Sequence, residues 1–400
     1  MIIELGQSIS LEDRMSGLFA TEPYVAPRNP TEAKLADIWM EAFGGDRVGV
    51  HDNFFSRGGH SLLATQVVAR ISDVFRTELS LRHLFQNPTI AGLESVIAQP
   101  QGTGDIRTER VENSYPSVVV RIQEGQGGPP LFCIHPAGGQ VMDYRALAAA
   151  IDPDRLVYGL QSRALADAAL EHTSVDEMAI EYAAAIRQRQ PAGPYYMLGW
   201  SMGGVVAVSV ARLLEEQGER VAFIGLVDSY LMSENVGAYG HDPIAELAPL
   251  LGGVLADVFV GLDGAEQADI RARLSTLSLD EKIREALALG RQRGLLSADL
   301  SIELARRQIA LVNAHQRLLS EHQPRAVRAP LFLWWAQERS DGATPRTDWE
   351  LYTTGRTQSE MTVGNHFTCL RPPNVQRLAE RIRKRMTEIE GPTSSGAAIE

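Results

Sequence analysis

Two different hydrophobic periods divide the chain. Between residues 25 and 98 the apolar positions follow a helical spacing: Leu35, Ile38, Trp39, Ala42 and Phe43 stand at i, i+3, i+4, i+7 and i+8 and predict one buried helix face. A second helix is predicted from near Ser61, with Leu63, Val67, Val68 and Ile71 on its apolar side. The short piece "SLRHLF" and the segment "TIAGLESVIA" complete three or four helices, about the smallest core that folds alone. Residues 99–114, "QPQGTGDIRTERVENS", are polar and aperiodic and read as an interdomain linker.

From residue 115 onward the pattern changes. Short apolar runs, "SVVVRI", "LFCIHP", "LVYGLQ", "YYMLGWS", "VAFIGLVD" and "PLFLWWA", alternate with helical stretches and predict buried parallel strands joined by crossovers. The expected product is a mostly parallel sheet with helices on both faces. The alternation stops between about 231 and 327, where "IRARLSTLSLDEKIREALALG" and "SIELARRQIALVNAHQRLLSEHQ" are helical with no convincing strand. An all-helical insertion of that size between two strands predicts a lid over a site. Residues 389–400, with the small polar ending "GPTSSGAAIE", are expected to be a disordered tail.

Composition narrows the function classes. The 400 residues suggest two or three domains, and the net charge of -12 argues against nucleic acid as the main partner, because phosphate neutralisation needs a basic face. The only cysteines, Cys133 and Cys369, lie in apolar surroundings and can build neither a disulfide framework nor a zinc site. The N-terminus lacks a basic segment followed by an apolar one, and no stretch of about 18 apolar residues exists to span a membrane. The expectation is therefore a cytoplasmic protein with reduced thiols, no metal and no membrane partner.

Two serines stand at turns. Gly199-Trp200-Ser201-Met202-Gly203 matches G-x-S-x-G between an apolar strand and a helix, the pattern of a nucleophile elbow in α/β-hydrolases. A serine hydroxyl needs a base, and the base an orienting carboxylate, in the chain order Ser, Asp or Glu, His. Asp228, closing "VAFIGLVD", is the expected acid, with Glu338 and Asp341 after "PLFLWWA" as competitors. Of the histidines beyond Asp228 (His241, His315, His322, His366), His366 follows the short strand and Gly-Asn turn of "MTVGN" and is the expected base. His315 and His322 fall within helical patterns. Acyl transfer also needs oxyanion donors: the Met202 N–H, after the nucleophile, and the Ala137 N–H in the glycine-rich turn of "LFCIHPAGGQVMDY". His135 precedes Ser201 and is expected to be structural.

Ser61, in "NFFSRGGHSLLATQVVARI", follows no strand. It opens a helix, where free N–H groups and the macrodipole favour a phosphate; the competing reading is a plain N-cap. The flanking residues carry a resemblance. "DNFFSRGGHSLLATQVVARI" resembles the phosphopantetheine attachment motif of peptidyl carrier proteins in nonribosomal peptide synthetases, and "YVAPRNPTEAKLADIWMEAFG" and "LSLRHLFQNPTIAGLESVIA" resemble its flanking helices. "LFCIHPAGG", "GWSMGG", "LVDSY" and "GNHFTCLRPPNV", in that order, resemble a type I thioesterase.

The resemblance implies a multidomain chain. A small all-α four-helix carrier domain (24–98) and the linker (99–114) precede an α/β-hydrolase thioesterase domain (115–388) with an inserted helical lid. It implies a 4'-phosphopantetheine on Ser61, and Ser201, Asp228 and His366 as nucleophile, acid and base, with Asp228 favoured over Glu338 and Asp341. A peptidyl or aminoacyl thioester would pass from the Ser61 arm to Ser201 and leave by hydrolysis or intramolecular cyclisation. Implied partners are upstream condensation and adenylation domains, a phosphopantetheinyl transferase with coenzyme A, and a peptidyl substrate. Residues 1–23 do not match the usual end of an adenylation domain; adenylation and condensation domains are absent from the 400 residues, so whatever loads Ser61 is expected to come from elsewhere. Rival readings are a stand-alone serine esterase with a helical appendage, a non-catalytic docking module, and an editing thioesterase.

Overall fold

The computed structural model describes residues 24–43, 47–52, 54, 61–77, 79, 83–84, 87–98, 118–166, 168–231, 247, 264–292, 302–338 and 346–391. The chain divides into two compact units, Met1–Val111 and Glu112–Glu400.

The first unit holds α1 (Pro30–Ala42), α2 (Ser61–Phe75) and α3 (Ile90–Ile97). Asn29 and Thr89 cap α1 and α3, their side chains accepting from the N–H of Glu32 and Gly92 and so satisfying first-turn donors that have no partner within the helix. The predicted face of α1 is buried at Leu35, Ile38 and Trp39, and Val67, Val68 and Ile71 of α2 are buried too. Phe54 meets the Trp39 ring edge-on at 5.0 Å. Two backbone bonds, Ala91 N–H to Val50 O and Phe54 N–H to Pro88 O, tie the intervening loop to the start of α3. Of the fourth helix expected at "SLRHLF", only His83 and Leu84 are described, and both are helical; the rest lies outside the described residues, as does the linker at 99–114.

The second unit is a seven-stranded sheet in the order β1-β3-β2-β4-β5-β6-β7. The strands are β1 (Val119–Gln123), β2 (Leu131–Ile134), β3 (Val157–Leu160), β4 (Tyr195–Trp200), β5 (Val221–Val227), β6 (Leu331–Ala336) and β7 (Thr357–Thr362). All neighbours pair in parallel except β1, an edge strand antiparallel to β3 and largely half-buried. The apolar run "SVVVRI" is therefore not a buried parallel strand, because only one side of it has a neighbour. The strand expected in "MTVGN" lies mostly upstream, on Thr357–Thr362, where the sequence is polar. As the other edge strand, β7 is half-exposed and carries no apolar signature.

Helices cover both faces, which is why the central strands are apolar at consecutive positions. Phe132 and Ile134 of β2, and Leu331, Leu333 and Trp335 of β6, face a core built with α5 (Val175–Arg189) and α6 (Met202–Glu216). Leu131 and Cys133, with Phe332 and Trp334, face the other core, built with α4 (Tyr144–Ile151) and α10 (Asn374–Glu390). Helix α10 runs through Glu390 and stops at Gly391, two residues into the stretch expected to be a tail; residues 392–400 lie outside the described ones. Between β5 and β6 stand α7 (Gly264–Ser275), α8 (Leu279–Gln292) and α9 (Ile302–Glu321), with no strand among the described residues there. Among the described residues no helix is long and apolar enough to cross a membrane.

Candidate active site

The site forms where β2, β4, β5 and β7 end. Ser201 sits between β4 and α6 at φ 56°, ψ -127°, a left-handed backbone that a non-glycine residue holds only when its surroundings force it. The forcing is visible at its flanking glycines. A Cβ on Gly199 would lie 2.1 Å from the backbone of Gly203, and one on Gly203 would lie 2.1 Å from Ile134 O. Only glycine permits α6 to pack that closely on β2 and β4, and the turn between them displays Ser201. The Ser201 N–H continues the β4–β5 ladder to Val227 O at 2.9 Å.

Tyr144, which sequence reading did not single out, braces this turn. Its buried hydroxyl donates to Ile134 O and accepts from Trp200 N–H, both at 2.7 Å. Burial pushes its pKa well above the ordinary value, so it keeps the proton that it donates.

Asp228 follows β5, is 2% exposed and also has a positive φ of 44°. One carboxylate oxygen accepts from Ala336 N–H at 2.9 Å and from the Tyr230 hydroxyl at 2.7 Å. The other lies 2.7 Å from His366 Nδ1. Burial alone would raise its pKa, but the His366 hydrogen bond and charge, with the Ala336 and Tyr230 donors, outweigh it and hold the carboxyl below its ordinary value.

His366 stands on the loop after β7. Asn365 shapes that loop, its side chain accepting from the N–H groups of Phe367 and Thr368 at 2.9 and 3.0 Å. The His366 carbonyl accepts from Trp200 Nε1 at 3.0 Å, and the two rings lie 5.4 Å apart, so His366 is anchored to the residue preceding Ser201. The alternatives fall elsewhere: Glu338 is exposed and bonds Gly364 O through its N–H, while Asp341 and His241 lie outside the described residues. His322 Nε2 is 2.9 Å from Ser209 Oγ.

The two expected oxyanion donors stand shortly after β4 and β2. Met202 is the first residue of α6, a position whose N–H has no acceptor within a helix. Ala137 follows β2 in a turn closed by Gly139 N–H to Pro136 O at 2.9 Å. His135 is buried, with Nδ1 2.7 Å from Pro136 O and Nε2 2.7 Å from the Tyr182 hydroxyl. A carbonyl can only accept, so Nδ1 carries the proton; burial first, and the neighbouring His315, hold the ring well below its ordinary pKa and neutral. The thiols of Cys133 and Cys369 are buried and free, and burial pushes both pKa values up.

Comparison with known proteins gives this geometry a family. Residues 129–386 match the model of the thioesterase domain, and residues 33–97 match that of the phosphopantetheine attachment site. The chain belongs to the thioesterase domain family. Its relatives include malpinin synthetase of Mortierella alpina, 44% identical over 215 residues, which are 54% of this chain and 3% of that protein. Chondramide synthase of Chondromyces crocatus is 29% identical over 377 residues, 92% of this chain and 9% of that one. The crystal structure of a holo four-domain nonribosomal peptide synthetase bound to AMP and glycine superposes with a TM-score of 0.57 at 28% identity, covering 91% of this chain and 26% of its own. The thioesterase chain thus spans less than a tenth of the length of either synthetase.

The attachment domain implies a covalent 4'-phosphopantetheine. Ser61 is the first residue of α2, whose first turn holds no acidic residue, so the helix N-terminus suits a phosphodiester. The Ser61 side chain itself lies outside the described residues.

Proposed function

We propose that this thioesterase receives an acyl chain, peptidyl or aminoacyl, from its own carrier domain and releases it through an ester on Ser201. Two facts support the acyl-enzyme route: the 2.7 Å contact between Asp228 and His366, and the Trp200 indole that ties His366 to the elbow. In this reading Ser61 is the attachment point, and the 4'-phosphopantetheine there supplies the thiol that holds the acyl group as a thioester. We read 24–98 as the carrier domain, 99–114 as the linker, 115–388 as the thioesterase domain and about 231–327 as its lid.

The chemistry follows from the charges. His366 donates from Nδ1 to Asp228, which leaves Nε2 unprotonated to take the Ser201 proton as Oγ attacks the acyl carbonyl. The negative charge that develops on the carbonyl oxygen falls to the N–H groups of Met202 and Ala137. His366 returns the proton to the leaving thiol. In the second half it takes a proton from water, giving a free acid, or from an amine or hydroxyl of the acyl chain, giving a ring: the deprotonated atom attacks the ester carbonyl, the acyl–Oγ bond breaks, and His366 returns the proton to Ser201. Holding both ends of one chain in a single cleft supplies the effective concentration that ring closure needs. The similarity to nonribosomal peptide synthetases supports a place at chain release, with condensation and adenylation domains as suppliers and a phosphopantetheinyl transferase as the modifying enzyme.

The test uses the full chain. Treatment with coenzyme A and a phosphopantetheinyl transferase should add one phosphopantetheine to the tryptic peptide containing Ser61 and none to Ser61→Ala. A fluorophosphonate should label Ser201, and Ser201→Ala should neither label nor release a loaded peptide. Modification without release would leave a docking module. Release without modification would leave a stand-alone esterase.

A further inference from the structure

The loop carrying Ala137 is gripped at four successive carbonyls. Pro136 O accepts from His135 Nδ1 and from Gly139 N–H, and Gly139 O accepts from Ser162 N–H at 2.9 Å. The two carbonyls between them are held from α9, more than 160 residues away in sequence. Gln308 Nε2 donates to Gly138 O at 3.0 Å, and His315 Nδ1 lies 2.6 Å from Ala137 O.

Gln308 and His315 are separated by two helical turns and so share one face of α9. Leu311, on the same face, reaches the loop as well: a Cβ on Gly139 would lie 3.0 Å from its Cδ2. His315 is buried and stacks on His135 at 5.2 Å. Because Ala137 O can only accept, Nδ1 carries the His315 proton, leaving Nε2 to face the Ser162 hydroxyl at 3.4 Å. Burial, with His172 nearby, draws its pKa down to about 4, so the ring is neutral at ordinary pH.

We propose that α9 sets the oxyanion site: Gln308 and His315 are positioning residues that clamp the carbonyls of Gly138 and Ala137 and so fix the direction of the Ala137 N–H. The clamp matters because an oxyanion donor works only when it is already aimed before charge develops. The Ala137 N–H lies in the Pro136–Ala137 peptide plane, which Pro136 O holds through its two donors; the clamp on Ala137 O fixes the next plane across the shared Cα and so limits how far the first can turn about it. Helix α9 then takes part in the chemistry through the loop that it holds. A displacement of α9 would release the carbonyls of Ala137 and Gly138 and leave the donor held from Pro136 O alone.

This rests on the reading of Ser201 and Ala137 given above, and the experiment separates the two. His315→Leu removes the donor to Ala137 O, whereas His315→Asn places an amide N–H close to where Nδ1 stood. Gln308→Met does the corresponding test at Gly138 from a half-buried position. Each variant of the full chain is assayed on a small acyl thioester for kcat and KM, with thermal unfolding alongside.

A misaimed donor is expected to lower kcat about 100-fold in His315→Leu with KM little changed, and about 10-fold in Gln308→Met. His315→Asn should recover most of the loss. Residues that only pack would give Leu and Asn variants of equal kcat that follow stability, and that result, or wild-type kcat in folded His315→Leu and Gln308→Met, overturns the proposal. If His315→Leu fails to fold, Gln308→Met and His315→Asn decide. Thioester turnover that survives Ser201→Ala would instead overturn the catalytic reading itself.

Discussion

Replacing Asp228 by asparagine keeps the shape of the side chain and inverts one of its hydrogen bonds. The carboxylate accepts three: from Ala336 N–H and the Tyr230 hydroxyl on one oxygen, and from His366 on the other. In Asp228→Asn the first oxygen can stay an acceptor, because both of its partners donate. The second position becomes an NH₂, which forces His366 Nδ1 to accept and moves the imidazole proton to Nε2. A base protonated at Nε2 cannot take the Ser201 proton.

In serine proteases this tautomer fault costs about 10⁴ in kcat, or about 5.5 kcal/mol of barrier, and a similar loss is expected here. Stability should change less. Two bonds to a charged acceptor become bonds to a neutral one, at about 1 kcal/mol each, giving about 2 kcal/mol at neutral pH. The sign with pH follows from the carboxyl being held below its ordinary pKa. Its stabilisation is complete above the unfolded value of about 4 and disappears as pH falls through the lower folded value. The stability gap between wild type and Asp228→Asn should therefore close on acidification.

The assay is single-turnover acylation of Ser201 by an acyl thioester, followed by intact-protein mass, with urea unfolding at neutral and acid pH. An acylation rate within about tenfold of wild type, or a stability gap that widens in acid, would refute the orientation argument.

Two further outcomes are expected. In Gly203→Ala the new methyl would sit 2.1 Å from Ile134 O, so α6 and β2 must part by more than about 1 Å to reach an ordinary contact. The variant should lose about 1–3 kcal/mol in urea unfolding together with fluorophosphonate labelling of Ser201, and normal labelling in a stable variant would contradict the packing argument. The buried neutral His315, with its pKa drawn from 6.5 to about 4, should make stability fall by about 1.4 kcal/mol for each pH unit of acidification between those values, about 3 kcal/mol in all. Urea midpoints measured across that range should show His315→Asn with a shallower slope than wild type; equal slopes would mean that His315 is already protonated in the fold.

Much of the site was legible because its constraints are local or ordinal. The elbow glycines announce a close approach that any side chain would block, the Ser, Asp, His order narrows the base to four histidines, and the loop at a strand end favours His366 among them. Local reading could not separate Asp228 from Glu338, since both follow apolar strands; the resemblance favoured Asp228, and the 2.7 Å contact with His366 agrees. Tyr144, Gln308 and His315 went unread as bracing residues for a different reason. Their partners at Trp200, Gly138 and Ala137 lie 56, 170 and 178 residues away, and nothing in a helical tyrosine, glutamine or histidine names a distant carbonyl or N–H. The edges of the sheet misled for want of hydrophobic contrast: β7 is polar because one side faces water, and β1 is apolar but runs antiparallel.

The sequence by itself determined two units of different period, the strands of the central sheet, and the candidate reactive groups. Those depend on side-chain alternation, backbone sterics and chain order, which are properties of short segments. Only the tertiary structure decided which buried polar atoms meet. That choice fixes the tautomer of His315, the pairing of Asp228 with His366, and the bracing of the Ala137 loop by α9. Each depends on desolvated hydrogen bonds between segments far apart in the chain. Such bonds exist only once the sheet has formed and water has been excluded from its ends.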